Sequence, residues 1–407
     1  MSTIAAESQR TSSKDQVMGK DRDSPFFQGY LRSDGRVGVR NYLLILSTIS
    51  LTNRWAELAA AGQENVVVIT GDFLRGLRGE DAAGQEDVLA KLIDHPNVGA
   101  TLILCFDRVS GKNWQDRQAG HKRPARILVL MDQAGMSGAV KKAQTTVSEL
   151  DTLCRQATRS PQRLSSLTVA LECGGSDATS AICANPAIGR FVERLVRAGG
   201  TAIISETAEF IGAEDVVRAR AVSPMVANKA LAFITAADQR TEEDGDRYRG
   251  VNPTRENIEA GLTTLIEKSM GAICKIGELA IDGCLEFAEQ PSKTGLYFMD
   301  TPFFSPVSLT GMTAAGAQIT LFALGVFNPS GNPLTPAIKM CGNGKTLSHW
   351  ADSIDVSLDG LVDGAITLAD AQEKVAKSVA EIASGKQSRA EFWGEGQIII
   401  PKTTALI

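Results

Sequence analysis

Histidine is scarce in this chain. Only His95, His121 and His349 occur in 407 residues, so a three-histidine metal centre would need all of them in one place. His95 stands in DHPNVGA and His121 in AGHKRPAR; both contexts read as loops, where a structural role is the simpler assignment. The seven cysteines include no C-x-x-C pair, which speaks against a disulfide framework or a zinc ribbon and fits free thiols in a reducing cytoplasm. No stretch of 18 apolar residues exists to span a membrane. The polar N-terminus lacks the apolar core of a secretory signal. A net charge of -5 leaves no basic excess for general nucleic-acid binding. No G-x-G-x-x-G follows the first apolar run, where LSTISLTNRW stands, so a nucleotide-dependent oxidoreductase is the weaker alternative.

What is present is a repeated strand-then-helix pattern. NYLLILST (41–48), NVVVIT (65–70), ATLILCF (100–106) and ARILVLM (125–131) are short, continuous apolar runs, as strands buried on both faces require. Helical patterns in RWAELAAAG, GQEDVLAKLIDH and the long stretch after residue 132 separate or follow them. Beyond TRSPQRLSS (158–166), whose Pro and Ser mark a boundary, the pattern restarts. LTVALEC, TAIISET, GLYFMDTP, AQITLFALG and PAIKMCGNG supply strands, and NPAIGRFVERLVRAGG and ADAQEKVAKSVAEIASG supply helices. The expectation is an α/β protein of two domains, each a mainly parallel sheet flanked by helices. A polar tail covers 1–27, an N-terminal domain 28–160, and a C-terminal domain 161–407 that carries most of the site loops.

Ligands of open parallel sheets bind beyond the carboxyl ends of the strands. LECGGSD, SETAE, MDTP and KMCGNG all fall there. Gly174 and Gly175 would let backbone approach an anion, or would merely make a tight turn. With Ser176 and Asn185 they are the candidate anion cradle, and Arg36 and Arg40 of RVGVRN are candidate partners for it. Glu206 and Glu209 could bind a hard cation, act as a base, or complement a helix dipole. Asp300 and Thr301 form either a site edge or an Asx turn. Cys173 reads as a soft ligand or a small core residue. Lys268 lies on an otherwise apolar helix, with Lys275 two turns on. Arg75 and Arg78 would meet a second anion or stay solvated.

Five segments together resemble the altronate/galactarate dehydratase family: GYLRSDGRVGVRNYLLIL, LECGGSDATSAICANPAIGRFVERLVRAGG, TAIISETAEFIGAEDVV, GLTTLIEKSMGAICKIG and GLYFMDTPFFSPVSLTGMTAAGAQITLF. They run in family order from about residue 28 to the region of Asp355. The resemblance implies a lyase that performs β-elimination on a small anionic 2-hydroxy carboxylate and yields a 2-keto acid. Asp177, Glu206 and Lys268 are its expected acid/base groups. Arg36, Arg40, Gly174, Gly175, Ser176, Asn185 and Thr301 are its expected substrate-binding residues. It also implies a divalent metal, iron ahead of magnesium or manganese, with Cys173, Glu209 and Asp300 as ligands. ITGDFLRGLRGEDA (69–82) and LCFDRVSGK (104–112) depart from the dehydratase pattern of His and Cys elements. The GED element at 79–81 is closer to the (2R)-sulfolactate sulfo-lyase branch, in which sulfite leaves. Sugar-acid dehydration is the alternative, and a member that kept the fold and lost the chemistry stays open. The family match begins directly after the tail, so a separate small subunit is expected as partner, in an oligomer.

Overall fold

The structure, a computed structural model, describes residues 24–243 and 252–403. Up to residue 23 the polar tail lies outside these. The chain enters through β1 (Phe27–Leu31) and β2 (Val37–Gly38), then runs through β3 (Tyr42–Ser47), β4 (Val66–Ile69), β5 (Val98–Cys105) and β6 (Ala125–Val129). The short β7 (Ser160–Gln162) leads to β8 (Thr168–Gly174), β9 (Thr201–Ile204), β10 (Gly283–Leu285) and β11 (Gly295–Met299). The last strands are β12 (Ile319–Leu324), β13 (Ala337–Cys341) and β14 (Val356–Ser357).

Two parallel sheets organise two α/β domains, as the apolar runs require. The first has strand order β4-β3-β5-β6 and the second β10-β11-β9-β8-β12-β13-β14. Strand residues alternate between two cores. Leu43 and Ile45 pack with Trp55, Ala139 and Val147 from one helical layer, while Leu44 and Leu46 pack with Val88, Leu89 and Trp114 from the other. In the second sheet Val169, Leu171 and Cys173 face one core, and Ala170 faces the core holding Met299, Leu309 and Phe322. Among the described residues no helix is long and apolar enough to cross a membrane.

The two sheets are tied by polar contacts. β1 pairs antiparallel with β7 across the sequence, and Phe27, Val37 and Val39 join the C-terminal core. Arg40 is 8% exposed; its guanidinium forks onto Glu391 at 2.7 and 2.8 Å and donates to the carbonyls of Val39, Ile382 and Lys386. His95 is 1% exposed: Nδ1 accepts from Asn97 N at 3.1 Å, so Nε2–H donates to Ala317 O at 2.9 Å. Burial holds the ring neutral, pushing its pKa down from 6.5 to about 3.

This depressed pKa sets a direction for acid stability. The neutral ring's contribution is complete above the unfolded value of about 6.5. Below it the unfolded chain takes up a proton that the folded chain refuses, so stability falls by about 1.4 kcal/mol per pH unit until pH nears the folded value. Denaturant unfolding at pH 7 and pH 5 is expected to show this loss in the wild type and a smaller loss in His95→Gln.

Candidate active site

In the seven-stranded sheet the chain runs from β8 to its neighbour β9, out to the edge strand β10, back to β11 between them, and then crosses to β12, β13 and β14 on the other side of β8. The order reverses between β8 and β12, and loops diverging there leave a crevice. A cavity of about 480 Å³ occupies it. Cys173, Gly174, Gly175 and Ser176 enter it from the end of β8, Glu206 from β9, Phe303 to Pro306 from β11, and Val326 to Gly331 from β12. Thr254, Glu256, Asn257, Lys268, Gly396 and Gln397 complete its wall.

The glycines have a local reason. Gly175 has φ +63°, and a Cβ there would sit 2.1 Å from the Val326 carbonyl oxygen, which belongs to the β12 loop. The Gly175 carbonyl accepts Val326 N and Gly325 N. The Gly-Gly step therefore locks two site loops together while exposing backbone to the cavity. Gly175→Ala is expected to lower unfolding stability by at least about 2 kcal/mol, from left-handed strain and loop displacement. A chemical melt measures it.

Asp177 is 3% exposed and does not line the cavity. Oδ1 accepts Ser180 N at 2.8 Å and Thr179 Oγ1 at 2.7 Å, and Oδ2 accepts Asn343 Nδ2 at 2.7 Å. With its acceptors occupied, it anchors the turn that leads into the π-helical segment Ser180–Ala184 and the helix Asn185–Arg197. Asn185 Nδ2 donates to Gly271 O at 2.9 Å, while its Oδ1 is buried without a donor. Neither Arg36 nor Arg40 reaches the cavity. Arg36 pairs with Asp34 and Asp94 near the surface, and Arg40 is consumed by Glu391. Arg75 pairs with Asp107 in the other domain.

The cavity floor carries a buried charge cluster. Glu206 is 2% exposed and held at φ +62°. Its N–H donates to Thr301 Oγ1 at 2.8 Å, so Thr301 positions its backbone. A non-glycine residue in this region is strained, and such strain gathers at functional sites. One Glu206 carboxyl oxygen has no donor. Burial, then the neighbouring Glu172 and Glu209 carboxylates, raise its pKa well above the ordinary carboxylate range. Glu209 lies between two lysines: Lys275 Nζ at 2.9 Å from Oε2, and Lys268 Nζ at 3.4 Å from Oε1, an ion pair without hydrogen-bond geometry. Lys268 also donates to Asn252 Oδ1 at 2.9 Å and lies 4.3 Å over the Phe303 ring. Its ammonium is the cation that faces the cavity. The buried helix Ser305–Ala314 begins at the wall and directs its positive dipole end there.

Glu172 was not among the residues singled out from sequence. It is fully buried on β8 beside Glu206 and accepts Ser308 Oγ at 2.7 Å. A lone carboxylate inside the apolar run LTVALEC was the available signal.

The residues expected as metal ligands do not form a donor set. Asp300 accepts a 2.5 Å hydrogen bond from Thr207 Oγ1, and Glu209 is neutralised by lysines. The Cys173 thiol, 3.1 Å from Ser176 Oγ, is pushed up by burial, away from the thiolate. Among the described residues no three His, Cys, Asp or Glu side chains gather as a cation site.

Comparison with known proteins agrees with this architecture. The model of the D-galactarate/altronate dehydratase C-terminal domain matches residues 164–406, and that of the D-galactarate dehydratase/altronate hydrolase second domain matches residues 29–155. The chain is 30% identical over 382 residues to (2R)-sulfolactate sulfo-lyase subunit beta of Chromohalobacter salexigens, spanning 92% of this chain and 97% of that one. It is 28% identical over 376 residues to altronate dehydratase of Escherichia coli, spanning 89% and 74%. Galactarate dehydratase (L-threo-forming) of the same organism is 33% identical over 231 residues, 56% and 44% of the two chains. By the extent of these matches, the chain belongs to the D-galactarate/altronate dehydratase family.

Proposed function

We propose that this protein is a β-eliminating lyase acting on a small anionic 2-hydroxy carboxylate, with sulfolactate-like substrates first. One observation carries the reading: a buried carboxyl with a donor-free oxygen, Glu206, lines a switch-point cavity that also holds the Lys268 ammonium. Glu206 accepts the proton from C2, the carbon bearing the hydroxyl. The C2–H electrons form the C2=C3 bond, and the C3 substituent leaves with its bonding pair. The resulting enol becomes the 2-keto acid, with no change in overall oxidation level. Lys268 and the start of the Ser305–Ala314 helix offset charge that builds on the substrate carboxylate. Phe303 and Phe327 supply apolar wall beside it.

A sulfonate is favoured as the second anionic group because the relative that this chain spans almost end to end is a sulfo-lyase subunit. Its designation as subunit beta supports a separate partner chain here too. The second reading is a sugar-acid hydro-lyase. It draws on the polar lining of Ser176, Asn257, Asn328, Ser330 and Gln397, which suits hydroxyl groups, and on the dehydratase relatives. The test is product analysis with sulfolactate, altronate and galactarate, with partner chain and ferrous iron, magnesium or manganese supplied. Sulfite together with pyruvate is the expected outcome. A deoxy keto acid from a sugar acid would select the second reading, and no 2-keto acid from any of the three would overturn both.

A further inference from the structure

The C-terminal segment has no part in the elimination as written, yet it is tied down along its length. Residues 395–403 form neither helix nor strand and run from the cavity to the N-terminal domain. We infer that this segment is a strap that delivers Gln397 to the cavity, that Gln397 is a specificity-determining residue binding a substrate oxygen beyond C2, and that the Lys339–Glu395 pair positions it. This rests on the elimination reading, which places C2 at Glu206.

Three observations support it. First, the strap is anchored on both sides of Gln397, where a chain end would ordinarily fray. Before it, the fully buried Lys339 ammonium on β13 pairs with the Glu395 carboxylate. After it, Ile399 N donates to Thr310 Oγ1 at 3.1 Å, and Ile398 and Ile400 join the core that holds Leu44, Phe73 and Val88. Lys402 Nζ then donates to the Asp72 carboxylate, and Thr403 N to Asp81 of the GED element at 3.0 Å. Second, the strap lies directly on the β12 loop. A Cβ at Gly331 would stand 2.7 Å from the Glu395 carbonyl oxygen, and one at Gly396 2.8 Å from Pro333 N. Gln397 N donates to Gly331 O at 3.4 Å. The Lys339 ammonium also lies 4.9 Å over the ring of Phe327, a cavity residue that stacks on Trp350 at 4.3 Å. One buried cation therefore fixes both the strap and the wall beside it. Third, Gln397 is exposed and lines the cavity, and among the described residues nothing hydrogen-bonds its side-chain amide.

The consequence is a division of the cavity. Proton transfer holds C2 at Glu206 and the substrate carboxylate at Lys268. The remainder of the substrate extends toward the β12 loop and the strap, where the Gln397 carboxamide offers two N–H donors and one acceptor. Those donors suit the oxygens of a sulfonate on C3, and the whole amide suits the hydroxyls of a longer sugar acid. Only the sulfonate is intolerant of negative charge at this position.

Calorimetric binding of sulfolactate, altronate and galactarate tests the assignment in wild type, Gln397→Ala and Gln397→Glu, each full-length with partner chain and metal; kcat and KM are measured for any of the three that is turned over. Gln397→Ala is expected to weaken binding about tenfold or more, with the loss falling on KM more than on kcat. Gln397→Glu weakens it further where the bound group is a sulfonate, and restores it where the group is a hydroxyl. Binding that neither variant alters overturns the assignment alone. No binding of any of the three to wild type sinks the elimination reading, and the assignment with it. The positioning role is read from a double variant, Lys339→Met with Glu395→Gln, which removes both charges of the pair and strands neither. It is expected to weaken binding as Gln397→Ala does, and adding Gln397→Ala to it brings no further loss. Losses that multiply instead would show the pair acting on the fold alone and overturn that role. Should this variant not fold, Lys402→Ala with Asp81→Ala loosens the other end of the strap and reads the same coupling.

Discussion

Lys275→Met is expected to lower the unfolding free energy by about 3–5 kcal/mol, the largest stability effect of any single change proposed for this chain. Lys275 is fully buried, and its Nζ lies 2.9 Å from Glu209 Oε2, itself fully buried. Methionine of similar length fills the space but leaves the Glu209 carboxylate with only the 3.4 Å contact to Lys268. The cost is that of a buried charge deprived of its main partner. The pairing carboxylates hold the Lys275 pKa above its ordinary value against the opposing effect of burial. Denaturant melts of wild type and Lys275→Met read the difference. A double variant, Lys275→Met with Glu209→Gln, is expected to recover much of it, because both charges are then gone.

Glu206→Gln is expected to act in the opposite way: turnover falls on the order of 10³-fold while unfolding stability stays within about 1 kcal/mol. The amide keeps the shape that Thr301 and the strained backbone impose, and it relieves a buried acid of its desolvation cost. What is lost is the group able to take a proton. Asp177→Asn should not share this signature, although the sequence placed Asp177 beside Glu206 as an acid/base candidate. Its carboxylate holds Ser180 N, Thr179 and Asn343. The amide nitrogen cannot accept, so stability is expected to fall first. Steady-state kinetics alongside melts separate the two cases.

The parts of this molecule that could be read in advance are those in which burial repeats along the chain. Continuous apolar runs marked the four strands of the first parallel sheet and β8, β9, β11, β12 and β13 of the second, but not the short edge strands β10 and β14. The chain segments after β8, β9 and β11 do line one crevice, whereas the KMCGNG loop after β13 does not and the loop after β12 takes its place. Three classes of feature escaped. The antiparallel pairing of β1 with β7 depends on contacts between residues 131 or more positions apart, such as Gly29 with Ser160, and neither strand is long enough to announce itself. The helix Ser305–Ala314, SPVSLTGMTA, is buried on every side, so it shows no amphipathic period. The reach of long side chains also escaped. Arg36 and Arg40 are near the sheet in sequence, yet their guanidiniums turn to Asp34, Asp94 and Glu391. Glu172 on β8 and Lys339 on β13 also went unread, although each is a single charge inside an apolar strand sequence and each is buried in the fold. Such a residue is either an error in the strand assignment or a paired and purposeful charge.

The most direct test of the account follows hydrogen at C2. The substrate that product analysis identifies would be prepared with deuterium at C2 and turned over by wild type and by Glu206→Gln, each with the partner chain and metal present. Proton abstraction by Glu206 predicts that wild type passes the deuterium to solvent as the 2-keto acid appears, with a slowed first step, and that the variant does neither at a comparable rate. Deuterium kept within the product, or equal release by Glu206→Gln, would contradict it.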